Sequence, residues 1–227
     1  MPRRTFLRYA KADIRDEQAL HTYLVRYRAE TLFQHWQTLP TVTSQDLFAN
    51  AHPLELEIGC GSAEYLCSLA AKAPATNFVG LDISGKALSR AVETASLLAL
   101  RNIKFINADL QFLYPLLRPD SLRAVYLHFP DPHCKPGHRK RRLFNTDFLD
   151  RISTSLQTGG RLSVMTDVET FFMDMLNLVE QDPRFEKVHP RRYLLGFEPE
   201  VKSLFQRIWE QYGESVYRFE VCKLRLQ

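Results

Sequence analysis

Apolar residues along this chain alternate with polar ones at a period of two in some stretches and recur at helical spacing in others, and the two patterns take turns. From Leu54 the segment LELEIG reads as a strand, CGS as a glycine-rich turn and AEYLCSLAAKA as a helix. Phe78 to Leu81 predicts a second strand ending at Asp82. Ser84 then caps a helix from about Gly85 to Leu98, and Asn102 to Ile106 forms a third strand with Asp109 just beyond it. The fourth strand is Arg123 to His128, where Val125, Leu127 and Phe129 alternate with Tyr126 and His128, and Pro130 and Pro132 then hold the chain extended around Asp131. Phe144 to Leu156 reads as a helix, Gly159 and Gly160 as a turn, and Leu162 to Met165 as a fifth strand ending in Thr166 and Asp167. A helix from Glu169 to Glu180 stops before Pro183. An irregular connection from Phe185 to Pro199, a helix from Val201 to Tyr212, and a strand pair or one long strand from Val216 to Leu224 complete the chain. Upstream, residues 1–12 form a polar, basic arm. Leu20, Tyr23, Leu24, Tyr27, Leu32, Phe33 and Trp36 fall close to helical spacing and predict one or two helices across Asp13 to Trp36.

Strand and helix alternate through most of this, which predicts an α/β fold with a mostly parallel central sheet and helices on both faces. The expected organisation is a single domain, with residues 1–50 as N-terminal arm and capping helices and 51–227 as the domain proper. Asp82, Asp109, Asp131 and Asp167 each fall at or just after a strand's carboxyl end, where open sheets of this kind bind ligands.

Composition adds less than pattern. With 227 residues, 45% hydrophobic and 25% charged, the chain can bury a full core. A net charge of +4 is too mild to identify a nucleic-acid binder, so the placement of the bases matters more. Lys135, Arg139, Lys140, Arg141 and Arg142 follow Asp131 within one loop, enough positive charge to grip a phosphate backbone. Four cysteines without paired ligand spacing read as reduced thiols, and no metal site is expected. Neither a secretory signal nor a membrane span is evident, so the expected compartment is the cytoplasm.

The turn Glu57-Ile58-Gly59-Cys60-Gly61 lets the backbone bend sharply before a helix N-terminus, with Asp82 lying 23 positions after Gly59, about where an acid reaches ribose hydroxyls in nucleotide-binding folds. Glu57 disfavours a pyrophosphate and suits a cationic ligand carrying a free amine and a ribose. S-adenosylmethionine has these groups.

Through LEIGCGSAEYL, FVGLDIS, NADLQFL, FPDPHCKPGHRKRRL and the MTD at the fifth strand, the sequence resembles the bacterial tRNA (guanine-N7)-methyltransferases. The resemblance implies a Rossmann-like class I S-adenosylmethionine-dependent methyltransferase fold, tRNA as partner, and methyl transfer to N7 of the variable-loop guanosine. It implies cofactor binding by Glu57, Gly59, Gly61, Asp82, Asp109 and Asp131, with Asp131 also catalytic, between cofactor and substrate. Lys135, Asp167, Ser203, Phe205 and Gln206 would bind substrate, together with Arg139, Arg141 and Arg142 of the basic loop. The chain departs from the family pattern in lacking the third glycine of the turn, in His133 where Trp is common, and in SLFQ where T-x-[FY]-E is common. Two alternatives stand beside this function: a weakly catalytic RNA-binding protein on the same fold, and a methyltransferase with another acceptor. The pattern leaves monomer or homodimer open.

Overall fold

A computed structural model describes residues 17–27, 29–132, 137, 142–197 and 201–225. The basic arm, and with it His133, Lys135, Arg139, Lys140 and Arg141, lies outside the described residues. Five predicted strands appear in place: β2 (Leu54–Ile58), β3 (Asn77–Asp82), β4 (Ile103–Asn107), β5 (Leu122–His128) and β6 (Leu156–Thr166). All pair in parallel, and β9 (Tyr217–Lys223) joins the far side of β6 antiparallel. With β1 (Leu24–Arg26) and β7 (Phe185–Lys187) at its edges, the sheet runs in the order β1-β4-β3-β2-β5-β6-β9-β7, so the chain reverses direction across the sheet at β2 and β5. That switch point opens a crevice at the carboxyl ends of the strands.

Strand alternation sorts the core into two layers. Leu56, Val79, Ile106, Val125 and Leu162 face α6 (Leu110–Leu113), α7 (Thr146–Ser155) and α8 (Glu169–Glu180). Phe78, Ile103 and Phe105 face the opposite way, onto α1 (Glu17–Tyr23), α4 (Glu64–Lys72) and α5 (Gly85–Leu97).

Four expectations change. The stretch from Asp13 to Trp36, expected to hold one or two helices, has two among its described residues, α1 and α2 (Ala29–Gln34), but a strand, β1 (Leu24–Arg26), lies between them. Leu24 and Val25 pair with Phe105 and Ile106, so an open edge of β4 outcompetes the local helical pattern. The segment before residue 50 is thus joined to the sheet and does more than cap it. Gly159 and Gly160 do not turn the chain but lie inside β6, where the register slips against β5. A Cβ on Gly160 would stand 2.7 Å from the Gln157 carbonyl, so the bulge needs glycine there. The connection after Pro183 contains β7 (Phe185–Lys187) and β8 (Leu194–Leu195), both paired antiparallel with β9, which is one strand. Finally, the chain after β5 is not simply extended: Phe129 adopts φ 53. An aromatic residue before proline in the left-handed region is a strained kink, held here by its N–H donating to the Met165 carbonyl at 2.7 Å.

Candidate active site

The glycine-rich turn folds back on the end of β3. Gly59 and Cys60 both donate to the Leu81 carbonyl, at 2.8 and 3.1 Å, and Gly61 donates to Asp82 Oδ2 at 2.8 Å. Gly59 and Gly61 sit at φ 74 and 57, and Ala63, where the third glycine is missing, is held at φ 53. The close packing depends on Gly80, since a Cβ there would meet Cys60 Sγ at 2.8 Å and Phe105 Cδ1 at 2.9 Å.

Two of the strand-end acids are braced by backbone. Asp82 Oδ1 accepts from the Ser84 N–H at 2.7 Å, and Asp109 caps α6 by accepting from the Gln111 N–H at 2.9 Å. Each carboxylate keeps lone pairs for a ligand. Asp82 and Asp109 line a cleft of about 330 Å³ together with Gly59, Ile83, Leu127 and Asp131. Ile83 is 75% exposed at its lip. A much smaller hollow of about 30 Å³ adjoins it, lined by Glu57, Gly61, Tyr65, Ser203 and Phe205, and the two share Gly59, His128 and Phe129. The four acids predicted for the cofactor thus line two adjoining hollows, from β2, the end of β3, the N-cap of α6 just past β4, and the exit of β5.

Glu57 is buried, and its Oε2 has no hydrogen-bond partner among the described residues. Burial, and then the charge of Asp82, pushes its carboxyl up to about 8. An orphaned acid in a ligand cleft fits a cationic group, and braced acids further along fit hydroxyls and amines. S-adenosylmethionine carries all three, so the residues present fit it. Among the described residues no cluster of three or more His, Cys, Asp or Glu could hold a metal ion.

Residues 51–219 match a family described as putative methyltransferase. The tRNA (guanine-N(7)-)-methyltransferase of Rubrobacter xylanophilus is 48% identical over 208 residues, 92% of this chain and 93% of that protein. This chain belongs to the tRNA (guanine-N(7)-)-methyltransferase family. A second relative of that name, from Chloroherpeton thalassium, is 34% identical over 92% of each chain. In fold, the crystal structure of the 16S rRNA methyltransferase KamB aligns with TM-score 0.60 at 14% identity, covering 80% of this chain and 92% of that one. The class I methyltransferase fold is therefore established.

Membership in the tRNA (guanine-N(7)-)-methyltransferase family gives the remaining residues a frame. Asp131 is exposed at the mouth of the larger cleft, and Asp167 follows the carboxyl end of β6. Ser203 caps α9 (Leu204–Gln211) by accepting from the Gln206 N–H at 3.1 Å, and Phe205 packs on Phe129 with centroids 5.7 Å apart. Both reach the smaller hollow.

Two substrate residues expected by sequence are turned elsewhere. Gln206 is 0% exposed, and its Nε2 donates to Glu210 Oε1 at 2.9 Å, so it lies beneath α9 and lines neither cleft. Arg142 is 12% exposed: Nε donates to the Pro132 carbonyl at 2.9 Å, the guanidinium pairs with Asp174 at 2.6 Å, and it stacks 4.5 Å over Phe171. Those bonds anchor the end of the basic loop and make Arg142 a brace, not an open phosphate ligand.

Three contributors escaped the sequence. Ile83 had a weak signal, an apolar residue directly after a strand-end acid. Arg207 pairs with Glu64 at 2.6 Å and so latches α9 to the start of α4 across the small hollow. Their 143-residue separation hides that contact from any local pattern. His128, read only as a strand residue, lines both hollows.

Proposed function

We propose that this protein methylates N7 of a guanosine in tRNA, the variable-loop guanosine at position 46 being the specific target, with S-adenosylmethionine as donor. The observation that carries this is the convergence of Glu57, Asp82 and Asp109 with Asp131 on two adjoining hollows at the sheet's switch point, with the family's basic motif following Asp131 in the sequence. When bound, S-adenosylmethionine supplies an electrophilic methyl group on a sulfonium. Asp82 would hold the ribose hydroxyls, Asp109 the adenine amine, Ile83 a face of the adenine, and Glu57 the charged amino-acid end.

Guanine N7 carries a lone pair and no proton, so the residues need not supply a general base. Their work is alignment, which accounts for up to about 7–11 kcal/mol of barrier in well-oriented reactions. As N7 gains charge, the N1 and N2 protons of guanine become more acidic. A carboxylate at their edge then stabilises the transition state more than the ground state, and Asp131 is that group. A guanosine stacked in its helix cannot reach these hollows, so the base is taken unstacked while Lys135, Arg139 and Arg141 hold flanking phosphates. Ser203 and Phe205, which line the smaller hollow, and Asp167, one residue past β6, orient the base. A tRNA acceptor puts this reaction in the cytoplasm.

The decisive experiment is methyl incorporation from labelled S-adenosylmethionine into unmodified tRNA, followed by nucleoside analysis. 7-Methylguanosine, lost in Asp131→Ala, is the expected result. Incorporation at another nucleoside, or none with the cofactor still bound, rejects the proposal.

A further inference from the structure

Where the two hollows meet, Glu57 and His128 face each other without bonding. His128 Nδ1 lies 3.7 Å from Glu57 Oε1, beyond hydrogen-bond reach. The residues are 4% and 7% exposed, and both Glu57 Oε2 and His128 Nδ1 lack a hydrogen-bond partner among the described residues. Unpaired buried polar atoms are costly, and two that share one small hollow point to a ligand that donates to both. The other side of the ring approaches Ser163, with Nε2 3.5 Å from Oγ, which suits an N–H on Nε2 and leaves Nδ1 as an acceptor. Tyr65 walls the space with its ring 4.8 Å from the imidazole.

A carboxylate or phosphate would be repelled here by Asp82 and would bring no N–H to Glu57 or His128. A primary ammonium matches: it is cationic, compact, and has enough N–H bonds to serve both acceptors. We propose that Glu57 and His128 together seat the α-ammonium of the cofactor's amino-acid end, with neutral His128 as the second acceptor. This rests on S-adenosylmethionine being the cofactor, and it adds to the family's acid set a residue that the sequence pattern left as strand packing.

The surroundings fix both protonation states. His128 faces Tyr65 on α4, Tyr126 on its own strand, Ser163 on β6 and Arg218 on β9. Burial, and then the Arg218 charge, pushes it down to about 3, so it remains an acceptor across the working range. Glu57, facing Asp82, Cys60 and Tyr65, holds a proton at neutral pH until a cation arrives. Seating the ammonium therefore ionises Glu57: the carboxyl O–H breaks, its proton goes to solvent, and the ammonium keeps its three hydrogens.

The test is titration calorimetry of the full chain at pH 7 with S-adenosylhomocysteine and with its analogue lacking the α-amino group, in buffers of different ionisation enthalpy. The wild-type protein should release close to one proton with the first ligand and none with the second. His128→Phe should weaken S-adenosylhomocysteine about tenfold or more while leaving the desamino ligand within about twofold, and His128→Asn, which keeps an acceptor oxygen, should recover most of the loss. Equal weakening of both ligands in His128→Phe makes the ring a packing residue and overturns the proposal, as does the absence of proton release. The proton count needs no variant, so it decides even if His128→Phe does not fold. If neither ligand binds the wild-type protein, it is the cofactor assignment that fails.

Discussion

Replacing Glu57 by Gln keeps shape and removes the ionisation, so it isolates what the buried acid does to the free protein. The Glu57 carboxyl is pushed up from 4.5 to about 8, by burial first and then by Asp82. A group whose folded value exceeds its unfolded one stabilises the fold fully below the unfolded value, and that contribution is lost as pH rises through the folded value. Glu57 should therefore erode stability between pH 4.5 and about 8. At about 1.4 kcal/mol for each pH unit, the whole interval amounts to at most about 5 kcal/mol. His128 acts in the opposite sense: its value falls from 6.5 to about 3, so its contribution is present above pH 6.5 and is lost as pH falls toward 3. Urea denaturation of the ligand-free protein and Glu57→Gln across this range should give curves that coincide near pH 4.5 and separate steadily, the variant being several kcal/mol more stable by pH 8.5. Saturating S-adenosylhomocysteine should reverse the order, because only the wild type gains an ion pair. Two parallel curves in the ligand-free proteins would refute the assignment of a neutral, desolvated Glu57.

Other perturbations probe the frame around it. Ala63→Gly should leave stability within about 0.5 kcal/mol of the wild type, because relief of the left-handed backbone offsets the lost methyl and the freer unfolded chain; the same change at Ala91, inside α5, should cost about 2 kcal/mol. Equal losses at the two sites in urea melts would show that Ala63 carries no strain. Gly80→Ala should cost about 1–3 kcal/mol in thermal or urea melts and weaken cofactor binding, since its methyl must displace Cys60 or Phe105; unchanged binding would separate the turn's position from its function. Arg207→Ala removes the α9 latch from a half-exposed pair, so stability should change by less than about 1 kcal/mol while stopped-flow release of S-adenosylhomocysteine accelerates. An unaltered release rate would make the latch incidental. Arg142→Ala, by contrast, should lower both stability and tRNA affinity, because Arg142, the last base of the run, is itself fixed on α8 by Asp174 and Phe171. Loss of tRNA affinity at full stability would return Arg142 to direct phosphate binding.

Much of this was written locally. The five parallel strands announce themselves because each alternates or runs apolar for four or more residues. The acids at their ends are legible because a strand's carboxyl end is also where the chain must turn. The glycine turn is legible because Gly59 and Gly61 occupy backbone conformations that few other residues tolerate. Partners distant in sequence decided the rest. Leu24 and Val25 became a strand only because β4 offered an open edge, and Gly159 and Gly160 became a bulge only because β5 pairs on either side of them, Leu122 with Leu156 and Ala124 with Arg161. Arg142 turned inward because Asp174 and Phe171 lie beneath it, and Gln206 because its turn of α9 is covered. His128 has the same alternation as any strand residue. Its meaning comes from the registers that set β2 and β6 on either side of β5, bringing Glu57 to one side of its ring and Ser163 to the other, and desolvating all three. Periodicity specifies which face a side chain takes; which charge it meets there, and whether water reaches it, depends on the assembled sheet.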